Sequence, residues 1–161
     1  MATNLRVESQ NIPSAKGMKM GIVVAEWHSE ITNAMLESAV KVLLENGVTK
    51  EDIKVEYVPG SYELVSGAQL LLEYTEVSAV ICLGCVVQGE TRHFEFICEA
   101  VANGLINLQL KYSSPVIFGV LTTDTFEQAK ERAGGRLGNK GEDAAIAAIK
   151  MVALENKLID N

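Results

Sequence analysis

Residues 77–87, VSAVICLGCVV, make an almost unbroken apolar run of strand length. A strand without polar alternation is covered on both faces, the situation of a central strand in a parallel sheet. Parallel neighbours need crossover connections, usually helical, so this one segment demands helices on either side of it in sequence. The chain supplies them. Met18 to Ala25 is a second apolar run, and from Ser29, a candidate N-cap, Ile31, Met35, Ala39 and Val42 recur at helical spacing until Asn46-Gly47. Ile53 to Val58 alternates and reads as a half-exposed edge strand; Pro59-Gly60 breaks it, and a short helix follows from about Ser61 with Leu64, Ala68 and Leu71 on one face. After a turn at Gln88-Gly89-Glu90, Phe94, Ile97, Val101, Leu105 and Leu108 mark a longer helix, and Pro115 opens the last strand, PVIFGVLT. Helices over 126–133 and roughly 142–156 then flank the glycine-rich AGGRLGNKG.

This alternation predicts a three-layer α/β/α sandwich with a four-stranded parallel sheet and flavodoxin-like doubly wound topology. The chain divides into a polar segment, residues 1–17, and a single domain over 18–161, with residues 1–17 expected to pair with a neighbouring subunit. Val116 to Leu121 carries no charge, and a bare apolar edge invites association. Either a neighbouring subunit or the terminal helices cover it.

Composition narrows the partners. With 14 Lys and Arg against 21 Asp and Glu, the net charge of −7 gives no basic footprint for nucleic acid or an anionic membrane surface. No apolar run reaches the roughly 18 residues that would span a bilayer, and residues 1–17 lack a signal-peptide core. Three cysteines, an odd number in a domain that needs no disulfides, point to reduced thiols and a cytoplasmic setting. Cys82 and Cys85 form C-x-x-C inside a strand, where residues three apart face opposite ways; with Cys98 they read as small core residues rather than a redox pair or zinc ligands.

In a doubly wound sheet the ligand site lies at the carboxyl ends of the strands. That rule selects the loops starting at Ala25, Val58, Val86 and Leu121. In the third, Gly89-Glu90-Thr91-Arg92-His93 joins a buried strand to a helix start, where backbone N–H groups and the helix dipole favour an anion. Histidine suits proton transfer near neutral pH, which makes His93 a general acid–base candidate; the alternative is that it only caps the helix. His28, beside Trp27, reads as a loop residue. Trp27, Tyr62 and Phe118 fall near the ends of three strands and suit stacking on a flat heterocycle, or are ordinary packing. Glu63 is a candidate hydrogen-bond acceptor. In the glycine-rich stretch the phosphate-loop spacing fails, since counting from Gly134 lands on Asn139 and no Ser or Thr follows Lys140; Arg132 and Lys140 remain as anion contacts.

Four ordered motifs carry a resemblance: VPGSYEL at 58–64, LGCVVQGETRHFE at 83–95, PVIFGVLTT at 115–123 and ERAGGRLGNKG at 131–141. Together, from about Met20 to Leu154, the chain resembles the lumazine synthase family. The resemblance implies an enzyme of riboflavin biosynthesis that condenses 5-amino-6-(D-ribitylamino)uracil with 3,4-dihydroxy-2-butanone 4-phosphate, losing phosphate and water, with no cofactor and no metal. It assigns Trp27 to the family's stacking aromatic, usually Phe. Ser61, Tyr62 and Glu63 would hold the ribityl chain and pyrimidine, and Cys85, Val86, Val87 and Phe118 would line the ring pocket. Glu90, Thr91 and Arg132 would bind the butanone phosphate, with Lys140 close by; His93 matches the proton-transfer histidine and Asp143 the carboxylate that assists it. Gln88 departs from the family's usual Arg or Lys. The family assembles as homopentamers with active sites shared between subunits, and the short Gly134–Gly141 connection is the form seen where twelve pentamers build a 60-subunit shell. Riboflavin synthase is the protein partner implied. Two other readings share the architecture. A flavodoxin-type flavin carrier would need a Ser/Thr/Gly-rich phosphate loop where this chain has Ala25-Glu26-Trp27-His28-Ser29. A container that has lost catalysis would not need Thr91, His93, Arg132 and Lys140, all of which are present.

Overall fold

A computed structural model describes residues 11–160. Strands β1 (Met20–Ala25), β2 (Ile53–Val58), β3 (Ala79–Val87) and β4 (Val116–Thr123) form one parallel sheet in the order β2-β1-β3-β4. Helices α1 (Ser29–Glu45), α2 (Leu64–Tyr74), α3 (His93–Tyr112), α4 (Phe126–Glu131) and α5 (Lys140–Ile159) complete three layers. The expected α/β sandwich is what the chain forms.

The uniform apolar run is explained by where β3 lies. It sits inside the sheet between β1 and β4, and its successive side chains feed two separate cores. Ile81, Leu83 and Cys85 join the core under α1 and α5, with Met20, Ile22 and Val24 of β1. Val80 and Cys82 join the opposite core under α2 and α3, with Val23, Leu64, Leu71, Val101 and Leu105. The period of two thus puts the cysteine pair on opposite faces. Cys82 and Cys85 are core residues as expected, whereas Cys98, on α3, is only partly buried. Burial pushes the Cys85 thiol up to about 11 and raises that of Cys82 further, so neither is a thiolate near neutrality.

β2 is an edge strand, as its alternation requires, although Tyr57 faces solvent and donates its hydroxyl to Asn33 Oδ1 (3.2 Å) rather than packing inward. At the other edge, α3 and α5 cover the faces of β4. Among the described residues nothing pairs with the outer edge of either strand. Of the segment 1–17, residues 1–10 lie outside the described residues. Residues 11–17 fold back on their own chain: Ile12 packs on the α1/α5 core, Ala15 is buried and its N–H donates to Asn46 O (2.8 Å). No helix among the described residues is long and apolar enough to cross a membrane.

Two boundaries differ from the sequence expectation. The cap position of α1 is His28, not Ser29; His28 takes the left-handed conformation (φ 59°, ψ 44°), and its carbonyl accepts the N–H groups of Ile31 and Thr32. The glycine-rich stretch is more ordered than a loop. It forms a small antiparallel hairpin, β5 (Ala133–Gly135) with β6 (Gly138–Asn139), because Gly134 (φ 110°) and Gly138 (φ 85°) adopt backbone angles that other residues avoid. The hairpin shortens α4 to end at Glu131 and starts α5 at Lys140, two residues ahead of the expected Glu142.

Candidate active site

The loops at the carboxyl ends of β1 and β2 are built against one another. Trp27 donates its backbone N–H to Pro59 O (3.1 Å), and its indole lies on Gly60 so closely that a Cβ there would stand 2.8 Å from Cε3. The indole is 68% exposed, a large flat surface presented to solvent. Beside it, Glu63 folds back to accept the Gly60 N–H at Oε2 (3.0 Å) and is half-buried, not the solvated carboxylate that a lone helix-start Glu suggests. Tyr62 is 58% exposed. Ser61 is buried, its Oγ pressed against the β3 backbone at Gly84 and without a hydrogen-bond partner among the described residues. A buried hydroxyl without a partner is costly, and this one lies between the aromatic surface and the strand that carries the next loop.

β3 ends in half-buried Val86 and Val87, and Gln88 then donates its N–H to Thr123 O (2.8 Å), fastening the end of β3 to the end of β4. Residues 88–93 are all exposed. His93 opens α3, and its backbone N–H reaches Thr91 Oγ1 at 3.4 Å. Arg92, the cap position, makes no side-chain cap bond; its guanidinium turns to Glu95 (3.1 Å). Glu90 projects from the bend before the helix.

The cations come from the elements after β4. Arg132 caps the C-terminus of α4 and donates from Nη1 to Gln128 O (2.9 Å), which lays its guanidinium back along the helix. Lys140 opens α5, and its Nζ stands 2.7 Å from Asp143 Oδ2, with both side chains about three-quarters buried. This pair has a rigid mount. Asn139 Oδ1 accepts the Gly141 N–H (2.8 Å), while Asn139 Nδ2 donates to Ala34 O of α1 (3.1 Å). Gly141 then rests directly on the α1 backbone, where a Cβ would come within 1.9 Å of Met35 O. Asn139 followed by Glu142 is the helix-start pattern of a capping residue with an acid three positions on, the local signal in the sequence that marks this boundary.

Phe118 stands apart. It is the third residue of β4, opposite Cys82 in register, five residues short of the strand's carboxyl end and 45% exposed at the rim of the sheet. The expectation that it sits near a strand end with Trp27 and Tyr62 is therefore not met within one chain. Cys85, also expected to line the ring pocket, is buried in the α1/α5 core.

The loops after β1 and β2 thus hold an aromatic platform beside a buried hydroxyl, the loop after β3 a histidine next to a threonine at a helix start, and the segment after β4 two cationic side chains. That is the layout of an α/β enzyme that handles a flat heterocycle and an anion. Residues 17–156 match the 6,7-dimethyl-8-ribityllumazine synthase family. The chain is 57% identical over 150 residues to the 6,7-dimethyl-8-ribityllumazine synthase of Cytophaga hutchinsonii, covering 93% of this chain and 94% of that one. It is 54% identical over 142 residues to that of Parabacteroides distasonis (88% and 89%), and 45% identical over 150 residues to that of Flavobacterium johnsoniae (93% and 79%). The chain belongs to the 6,7-dimethyl-8-ribityllumazine synthase family.

Proposed function

We propose that this chain condenses 5-amino-6-(D-ribitylamino)uracil with 3,4-dihydroxy-2-butanone 4-phosphate to give 6,7-dimethyl-8-ribityllumazine, phosphate and water. The observation that carries the proposal, in a member of this family, is the join between the β1 and β2 loops. There an exposed indole, a buried unpartnered hydroxyl and a half-buried carboxylate lie side by side. A pyrimidine stacks on Trp27; Ser61 and Glu63 hydrogen-bond its polar edge and ribityl chain; Tyr62, Val86 and Val87 flank it. Thr91 and the start of α3, with Glu90 beside them, receive the phosphate, and Arg132 neutralises it. Imine formation, phosphate elimination and ring closure each move a proton, and His93 carries it at the edge of the anion site. Asp143 holds Lys140 rather than reaching for solvent, so in this reading it sets the position of a cation beside the phosphate. Holding two substrates together supplies much of the remaining acceleration.

Self-association belongs to the same reading. The strongest support is Phe118, which sits at the rim of the sheet away from the other ring-pocket residues, where it would complete a neighbour's site. The exposed Phe96, Ile106 and Leu110 of α3 add an apolar surface for contact. The open edge of β2, with Leu36, Val40 and Leu44 of α1 lining an apolar groove, is where residues 1–17 of a neighbour would pair. A homopentamer, twelve of which form a 60-subunit shell, a cytoplasmic location and riboflavin synthase as partner complete the proposal. The test is a discontinuous assay with both substrates that follows the fluorescent lumazine, alongside sedimentation of the same sample. Product above the uncatalysed background is expected; none from folded protein would overturn the proposal.

A further inference from the structure

We propose that a side-chain clasp between the start of α1 and α4, made by His28 and Glu30 on one side and Phe126 and Lys130 on the other, is what positions Arg132. The inference rests on the reading of Arg132 as the phosphate contact. α4 has only six residues, too few to be stable as an isolated helix, so its place is set by what it packs on. Arg132 is its C-terminal cap and hydrogen-bonds back to Gln128 O, so the guanidinium moves with α4. On the sheet side α4 is anchored by buried Ala129 and half-buried Phe126.

The clasp supplies the other side. The His28 ring lies 5.7 Å from the Phe126 ring at an interplanar angle of 41°, within the range of aromatic pairs. Lys130 Nζ stands 5.1 Å from the centre of the same ring and 3.2 Å from Glu30 Oε1. Phe126 is thus met by the ring of the residue that caps α1 and by a cation that Glu30 of α1 grips. An ion pair as exposed as Glu30–Lys130 adds little energy; what it contributes is direction, keeping the ammonium over the ring. His28 reaches Phe126 from the left-handed conformation, which histidine and asparagine adopt more readily than most residues. The arrangement makes His28 and Phe126 positioning residues for the anion site, separate from the Trp27–Gly60 contact that serves the ring.

Two neutral variants of the full-length protein test this without altering charge near Arg132. His28→Asn keeps a residue tolerant of the left-handed backbone but removes the ring; Phe126→Leu removes the other half. Each is expected to raise KM for the butanone phosphate about three- to tenfold, the range an aromatic pair is worth. The double variant is expected to be no worse than the more affected single one, since both delete one contact. KM for the ribitylaminouracil and kcat stay within about twofold, and inhibition by inorganic phosphate weakens in parallel. The clasp is overturned if both KM values rise together, if neither changes, or if the two substitutions add. A further control separates the two readings. If Arg132→Ala leaves the phosphate KM and inorganic phosphate inhibition as in the parent enzyme, the assignment of Arg132 is wrong and the clasp falls with it. If Arg132→Ala weakens both while the clasp variants do not, only the clasp falls.

Discussion

Two helices in this molecule begin with residues the proposed chemistry needs, and they begin in opposite ways. α5 starts on a mount: Asn139 caps it and ties it to α1, Gly141 lies on the α1 backbone, and Lys140 is already paired with Asp143. α3 starts in the open, with residues 88–93 exposed. Among the described residues Arg92 makes no side-chain cap bond, and side-chain hydrogen bonds tie the loop only to itself and the first turn, by Gln88 to Gly89 O, the His93 N–H to Thr91 and Arg92 to Glu95. The lesson is that fixing a charge and presenting a proton carrier need different surroundings. A cation beside a substrate is most useful when it does not have to be ordered on binding. A histidine that serves several proton transfers needs access to the groups it serves, and a helix start with donors left over can receive an anion.

The sharpest way to break the comparison is Gly141→Ala. Alanine ordinarily favours a helix over glycine by about 1 kcal/mol, so an exposed position would gain. Here the added Cβ meets Met35 O, a backbone atom that cannot swing aside, and the expected result is a loss of about 3 kcal/mol or more, or failure to fold, measured by urea unfolding. A stable Gly141→Ala protein would mean that α5 is not mounted on α1 as described. Next in size is His93→Ala, expected to slow turnover severalfold to tens-fold, or about 1–2.5 kcal/mol in the barrier, with an unchanged unfolding midpoint. An unchanged rate would remove His93 from the mechanism. Asn139→Ala should lower stability by about 1–2 kcal/mol through loss of the cap and the bond to Ala34, with denaturant titration as the check. A neutral result would leave Gly141 as the sole mount. Smallest is Gly89→Ala, in the α3 loop, where a Cβ meets nothing within 4 Å. Stability should stay within about 0.5 kcal/mol, and a large loss would show that the open loop is more constrained than α5 makes it look.

How much of this contrast could be read from the sequence follows from what each region depends on. The sheet was legible because strand burial imposes a period on local sequence: the apolar run of β3 and the alternation of β2 each fixed a place in the strand order. The loop from Gly89 to His93 was legible too, since it follows a buried strand directly and leads straight into a helix. The mount of α5 was not, because Gly141 has a reason to be glycine only through Met35, more than a hundred positions away. The hairpin over 133–139 was hidden for a related cause: glycine-rich composition marks turns without saying that two short strands lie between them. Phe118 is near an end of its strand, but the amino end: it is the third residue of β4, opposite Cys82, and a short distance in sequence from Pro115 does not say which end of the sheet carries the ligand. The family resemblance implies site residues without that geometry, and does not say which of them one chain holds together.

The packing of α5 on α1 has one more consequence, for how the molecule is made. The larger core draws Met18, Met20, Met35, Ala39 and Leu43 from the early part of the chain and Ala145, Ile146, Ile149 and Val152 from the late part. A ribosome delivers these two sets far apart in time. α1 can settle on β1 and β3 as they emerge, but until residues near 152 have left the exit tunnel the part of its inner side that α5 covers stays bare, and the half-made chain carries an adhesive surface. Synthesis of this protein therefore contains a vulnerable interval, and its length is set by the distance along the sequence between those two helices.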